Sequence, residues 1–184
     1  MIPDATDIES RELLRNLSKA FKNVTRNGDI SLHETEAIDR YEDEKGRANA
    51  RARDLDTRWE DVPRATIDGV WGVGGLGFLG TISFRYYTPA YLKHWTLSLL
   101  EKREYSDAIS YFARQLMSDK PPLEELFTKE QLTVIAHILY FLALTLKDPF
   151  AIEPLARRFH IYLPSKLKTK RWHEIRKKTF KIFK

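Results

Sequence analysis

Phe84-Arg85-Tyr86-Tyr87-Thr88-Pro89-Ala90-Tyr91-Leu92-Lys93-His94-Trp95 is where aromatic density peaks, just ahead of a long helical pattern. Thr88 and Pro89 read as a helix start, because a threonine hydroxyl can accept an orphan N–H and proline fits the first helical position. Leu92, Trp95 and Leu99 follow at near-helical spacing until Lys102 and Arg103 bring charge, so one face is apolar. Ile82 to Tyr87 is aromatic and β-branched and allows one short strand. The stretch therefore predicts a mainly α, multi-helix domain with at most a short β element near residues 82–87.

Working outward, Ile8, Leu13 or Leu14, Leu17, Phe21 and Val24 recur at three- and four-residue steps and predict an amphipathic helix over 8–24, ended by Asn27-Gly28-Asp29. Ser31 and Glu34 match the capping box at the head of a second helix through Ala37, Ile38 and Tyr41. The Ala- and Arg-rich stretch from Arg47 predicts a third, stopped by Pro63. Six of the eight glycines lie in residues 69–80, which predicts irregular backbone. Ser106 heads the pattern Ile109, Phe112, Ala113, Leu116. Thr128 and Gln131 form another capping box, leading into Leu132, Ile135, Ala136, Leu139, Leu142 and Ala143, a stripe broad enough for a central core helix. Asp148-Pro149 and Glu153-Pro154 each read as a helix start.

With 184 residues, the chain has the length of one ordinary domain with a real core. It has no cysteine, which excludes disulfides, thiol catalysis and cysteine-based zinc sites. Met1-Ile2-Pro3-Asp4 lacks the basic start and apolar core of a signal peptide, and no run approaches the roughly 18 apolar residues that cross a bilayer. A cytoplasmic location is expected. The net charge of +5 hides an asymmetry: Arg157 to Lys184 carries eleven Lys/Arg against Glu174 alone, so residues 1–156 are net acidic. The organisation expected is a single helical domain over 1–184, with 165–184 a basic C-terminal helix whose Trp172, Ile175, Thr179, Ile182 and Phe183 mark one face.

Gly72-Val73-Gly74-Gly75-Leu76-Gly77 matches G-x-G-x-x-G, but a dinucleotide fingerprint needs a preceding strand, a following helix and an acid about 20 positions on, where this chain has Leu92. A structural loop is the better reading. The five histidines show no metal-ligand spacing; His137 reads as a satisfied border histidine of the core helix, and His94 as polar lining beside Trp95. No cofactor or metal is expected. Glu34, Asp39, Asp54, Asp56, Glu60 and Asp61 are interleaved with Arg47, Arg51, Arg53 and Arg58, so ion pairing is their ordinary fate. The alternative is a polar groove for a partner or ligand. The basic end is explained by a helix packing its apolar stripe on an acidic body, and also by an acidic partner, nucleic acid or a membrane surface.

The ordered segments Leu32-His33-Glu34-Thr35-Glu36-Ala37, Ile38-Asp39-Arg40-Tyr41, Ala50-Arg51-Ala52-Arg53-Asp54, Trp59-Glu60-Asp61-Val62-Pro63, Phe84-Arg85-Tyr86-Tyr87-Thr88-Pro89-Ala90-Tyr91 and Phe127-Thr128-Lys129-Glu130-Gln131 resemble the motifs of an uncharacterised bacterial domain family. The resemblance runs from about residue 13 to residue 146. It implies a mostly helical domain and brings no catalytic residues. Where that family carries Phe-Leu-Asp-x-Glu-Gly, this chain has Phe78-Leu79-Gly80-Thr81-Ile82-Ser83.

With no nucleophile or metal set in view, the expected function is non-enzymatic protein binding. Its most concrete form is an immunity or antitoxin-like protein that blocks a cognate toxin. The residues expected to meet the partner are Glu34, Asp39, Arg51, Asp54 and Arg85 on the body and Lys170, Arg171, Lys177 and Lys178 on the basic helix. Nucleic-acid binding through that helix, or an enzyme site among the Glu, Asp and Arg cluster, are the alternatives.

Overall fold

Among the described residues, ten α-helices make up most of the regular structure and there is no strand. The computed structural model describes residues 5–54, 58–69, 76–103, 107–118 and 121–182, with the side chains of 178 and 180–182 excluded. Asp56, glycines 72, 74 and 75, the Ser106 cap, Phe183, and the side chains of Lys178, Lys181 and Ile182 therefore lie outside the description. The helices are α1 (Ala5–Ala20), α2 (Leu32–Asp39), α3 (Glu44–Arg51), α4 (Arg64–Gly69), α5 (Thr81–Leu100), α6 (Asp107–Gln115), α7 (Leu123–Leu126), α8 (Lys129–Leu144), α9 (Pro149–Pro154) and α10 (Lys170–Ile182). Their contacts group into two units, Phe21–Gln115 and the pair Met1–Ala20 with Leu116–Lys184.

In the Phe21–Gln115 unit the central element is α5, and it corrects the helix start expected at Pro89. Residues 82–87 are helix rather than strand, and the helix begins at Thr81, so Pro89 lies in its interior instead of at its start. The missing start signal is supplied from a distance. Asn27 (φ 52°) and Gly28 (φ 75°) turn the chain in the left-handed region, and Asp29 follows them. Its Oδ2 accepts a hydrogen bond from the Ser83 N–H at 3.0 Å, as an N-cap side chain would. Gly80 holds the N-cap position itself, and a Cβ there would stand 2.8 Å from that oxygen.

An interior proline removes the donor to the carbonyl four residues back and costs about 3 kcal/mol. Tyr86, Tyr87, Ala90, Tyr91, Leu92 and Trp95 are each no more than 1% exposed. Burying one large apolar side chain is worth about 1.5–3 kcal/mol, so packing outweighs the broken ladder. Tyr91 stacks on Phe112 of α6 with centroids 4.8 Å apart. On another side α5 meets the 3₁₀ turn Trp59–Asp61, where Lys93 Nζ donates to the Glu60 carbonyl at 2.8 Å. The indole N–H of Trp59 in turn donates to the Phe21 carbonyl at 3.1 Å. That turn is separate from α3, which ends at Arg51 rather than running to Pro63.

In the other unit α8 is the core helix, and Ile135, Ala136, Ile138, Leu139, Phe141 and Leu142 on it are all buried. Gln131 has two jobs. Its Oε1 accepts from the Thr128 N–H at 3.0 Å, while its Nε2 donates to the Ala20 carbonyl at 3.1 Å. The first bond completes the capping box. The second satisfies a carbonyl at the end of α1, which packs along α8. Asp148 caps α9 through the Phe150 N–H at 2.8 Å. Pro149 sits in the first turn, where a missing N–H costs nothing. Pro154 closes α9 instead of opening a helix, and the chain continues through a π-turn, Leu155–Phe159, and 3₁₀ turns at His160–Tyr162 and Ser165–Leu167. The C-terminal helix starts at Lys170, later than expected, and buries Trp172 edge-on against Tyr140 of α8.

Candidate functional site

Helix α2 begins with backbone N–H groups that need partners, and the sequence around it provides them. The N–H of Glu34 donates to the Ser31 hydroxyl at 3.3 Å, and the N–H of Ser31 reaches back to Glu34 Oε2 at 3.4 Å. The His33 N–H donates to Asp54 Oδ2 at 2.9 Å, while its ring Nδ1 lies 2.6 Å from Asp54 Oδ1. The Leu32 N–H points to the hydroxyl of Tyr87 on α5 at 3.4 Å. The positive end of α2 thus faces two carboxylates, a favourable arrangement for negative charge.

Helix α3 delivers the countercharge. Glu44, Arg47 and Arg51 recur at helical spacing and share one face, and both arginines reach α2. Arg51 Nε donates to Glu34 Oε2 at 2.8 Å and Arg51 Nη2 to Oε1 at 2.5 Å, with Arg47 Nη2 adding a third contact at 3.3 Å. Glu34 is fully buried, whereas the side chains of Arg51 and Arg47 are 39% and 34% exposed. The hydrogen bonds from Arg51 hold the Glu34 carboxyl below its ordinary pKa in spite of burial, because they favour the charged form. At neutral pH it is an ionised acceptor with its oxygens already engaged, so it has no proton to give and no open lone pair aimed at solvent.

Of the body residues expected to meet a partner, the structure brings Glu34, Arg51 and Asp54 together at one helix start. Asp39 is exposed at the opposite end of α2, and Arg85 is half-buried on α5. His33 and Tyr87 belong to the cluster without having been singled out, and Arg47 joins it through the ion pairing expected of it. Nothing local marks His33 or Tyr87.

On the basic end the outcome is different. With Trp172 and Thr179 buried, α10 turns Lys170, Arg171 and Lys177 outward, and Lys166 and Lys168 are exposed on the approach to it. The Lys178 side chain lies outside the description. His160, half-buried nearby, has its pKa lowered by burial and then by Arg176 and Lys168, which marks the surroundings as positive.

The features so far define a mainly α protein with two independently capped core helices, a buried carboxylate–arginine cluster and a basic C-terminal face. The chain belongs to a family of unknown function, DUF6714, which matches residues 9–150. No curated protein and no solved structure matches it. The basic helix α10 begins beyond the matched segment.

Proposed function

We propose that this chain is a protein-binding module that docks an acidic surface of its partner on the basic face of α10, most concretely a cytoplasmic immunity or antitoxin-like protein neutralising a cognate toxin. The observation that carries the reading is the division of labour on α10. Its Trp172 is occupied by packing, and Lys170, Arg171 and Lys177 are left to solvent. A helix lying in a membrane surface needs its apolar side for lipid, so among the described side chains it is charge that remains for a partner. Exposed charge of one sign steers association and selects the complementary surface.

The enzyme alternative loses support because Glu34 and Asp54 are engaged in capping α2. Arg51 is committed to Glu34 as well. No helix among the described residues is long and apolar enough to cross a membrane.

The test is co-expression with the product of the adjacent gene, scoring growth and co-elution. Protection that is lost in Lys170→Glu/Arg171→Glu/Lys177→Glu, with unchanged circular dichroism, is the expected outcome. Co-elution with no neighbouring product, together with unchanged toxicity, would sink the proposal. Duplex DNA or RNA bound with affinity that collapses as salt rises and disappears on truncation after Pro164 would replace it with nucleic-acid recognition.

A further inference from the structure

A second polar surface lies where α1 runs beside α8, with the 3₁₀ turn Ser165–Leu167 contributing Lys166 and Leu167 to its wall. Glu9, Glu12 and Asn16 recur at i, i+3 and i+7 along α1 and so share one face. They line a cavity of 280 Å³ floored by Leu13, with His137 and Lys166 also on its wall. A neighbouring cavity of 220 Å³ shares Leu13, Asn16 and His137, so the space continues along the helix pair.

The charges on this cavity are arranged in an unusual way. The acids come from α1 and the ammonium from the 3₁₀ turn, yet among the described residues no ion pair joins Glu9 or Glu12 to Lys166. Partial burial raises the Glu9 carboxyl above its ordinary pKa, and Glu12 adds to the rise. Burial lowers His137, with Lys166 pushing the same way and Glu12 opposing, so the imidazole is neutral at pH 7 and can donate or accept. Like charges crowd on one wall while their natural counterion stands on another. A bound molecule carrying both signs relieves each wall at once.

We propose that this cavity binds a small zwitterion of the amino-acid class, its ammonium group between Glu9 and Glu12 and its carboxylate toward Lys166, with Asn16 and His137 hydrogen-bonding to it. The cavity, at 280 Å³, lies just under the range of drug-sized ligand pockets, which starts at about 300 Å³. That volume suits a single amino acid. Leu13 supplies the apolar floor against which the ligand's carbon skeleton rests.

The experiment is an NMR titration of the full chain with the common amino acids tested singly at millimolar concentration, and with propionate and ethylamine as one-charge controls. At least one amino acid should shift the Leu13, Asn16 and His137 resonances, with both controls about tenfold weaker or worse. Glu12 and Lys166 are exposed, so Glu12→Gln and Lys166→Ala should fold normally. Each should weaken binding about tenfold, while Lys166→Arg restores it and Lys129→Ala leaves it unchanged. Absence of any shift with every amino acid would overturn the proposal. So would equal binding of propionate or ethylamine, or undiminished affinity in both charge variants. The outcome is independent of whether α10 has a protein partner.

Discussion

Arg51 grips the buried carboxylate of Glu34 with two parallel donors, Nε on one oxygen and Nη2 on the other, and so fastens α3 to the first turn of α2. Glu34 has to be charged for this contact and is fully buried, so removing Arg51 leaves a buried carboxylate short of a partner, and removing Glu34 loses the pair and a cap together. Glu34→Ala is expected to cost about 3 kcal/mol, combining the lost pair with half of a capping box. Arg51→Ala should cost less, about 2 kcal/mol, because Arg47 remains to compensate the buried charge. Arg51→Lys should not restore the loss, since an ammonium cannot make the forked contact. Urea midpoints measure all three, and a Glu34→Ala midpoint equal to that of the parent would contradict the structure.

The same carboxylate sets part of the acid limit. Its folded pKa lies below 4.5, so its contribution is complete above the unfolded value and is lost as pH falls through the lowered one. His94, His137 and His160 are all lowered from 6.5, with burial the leading cause. Below about pH 6.5 the unfolded chain binds protons that these folded imidazoles refuse, so stability falls with pH there too. Glu9 has the opposite sign: its raised pKa favours the folded state at low pH and costs stability as pH rises through it. Denaturation curves should show a first decline beginning near pH 6.5 and a steeper one below 4.5; a flat profile down to pH 4.5 would refute the histidine part.

At the head of α5, the Asp29 cap and Gly80 make a prediction of sign. The backbone at Gly80 has φ −65° and ψ 171°, which is open to any residue. Alanine alone should therefore stabilise by about 0.4–1 kcal/mol through the unfolded chain. In the parent, however, the new Cβ would meet Asp29 Oδ2 at 2.8 Å. The clash would displace a cap worth about 1 kcal/mol. Gly80→Ala should thus be neutral or destabilising in the parent and stabilising in an Asp29→Ala background. The same sign in both backgrounds would show that Asp29 does not cap α5.

On α10, anchoring and surface charge should separate. Trp172→Ala removes a buried aromatic and should cost about 3 kcal/mol, visible as faster proteolysis at the C-terminal segment. Lys170→Glu and Lys177→Glu should leave the urea midpoint within about 0.5 kcal/mol. Equal destabilisation by all three would mean that the lysines take part in packing.

The local parts of the fold were legible. Ser31 with Glu34, Thr128 with Gln131, and Asp148 with Pro149 announce helix starts through neighbours only a few residues apart, and each start is where the pattern puts it. The start of α5 was not legible, because its cap comes from Asp29, 54 residues away, while Thr88-Pro89 offers a false local signal. Packing of the buried side chains around Pro89 overrides that signal, and propensity cannot register packing. The candidate sites divide in the same manner. The exposure of Lys170 and Lys177 follows from helical phase around Trp172, but the bond from His33 to Asp54 spans 21 residues and leaves no trace in spacing. Glu34 was identified as a cap and separately as a candidate contact residue, and the two roles compete for the same oxygens.

The bond from Gln131 to the Ala20 carbonyl joins residues 111 apart and reaches across the whole of the Phe21–Gln115 unit in sequence. Synthesis proceeds from the N-terminus, and units of structure form as they are completed. Helix α1, synthesised well before α8, is thus among the last to find its seat. It waits, with Leu13 and Leu17 uncovered, until α8 has emerged, while the intervening unit closes from an unbroken stretch of chain. For this protein the order of translation and the order of assembly part at residue 20.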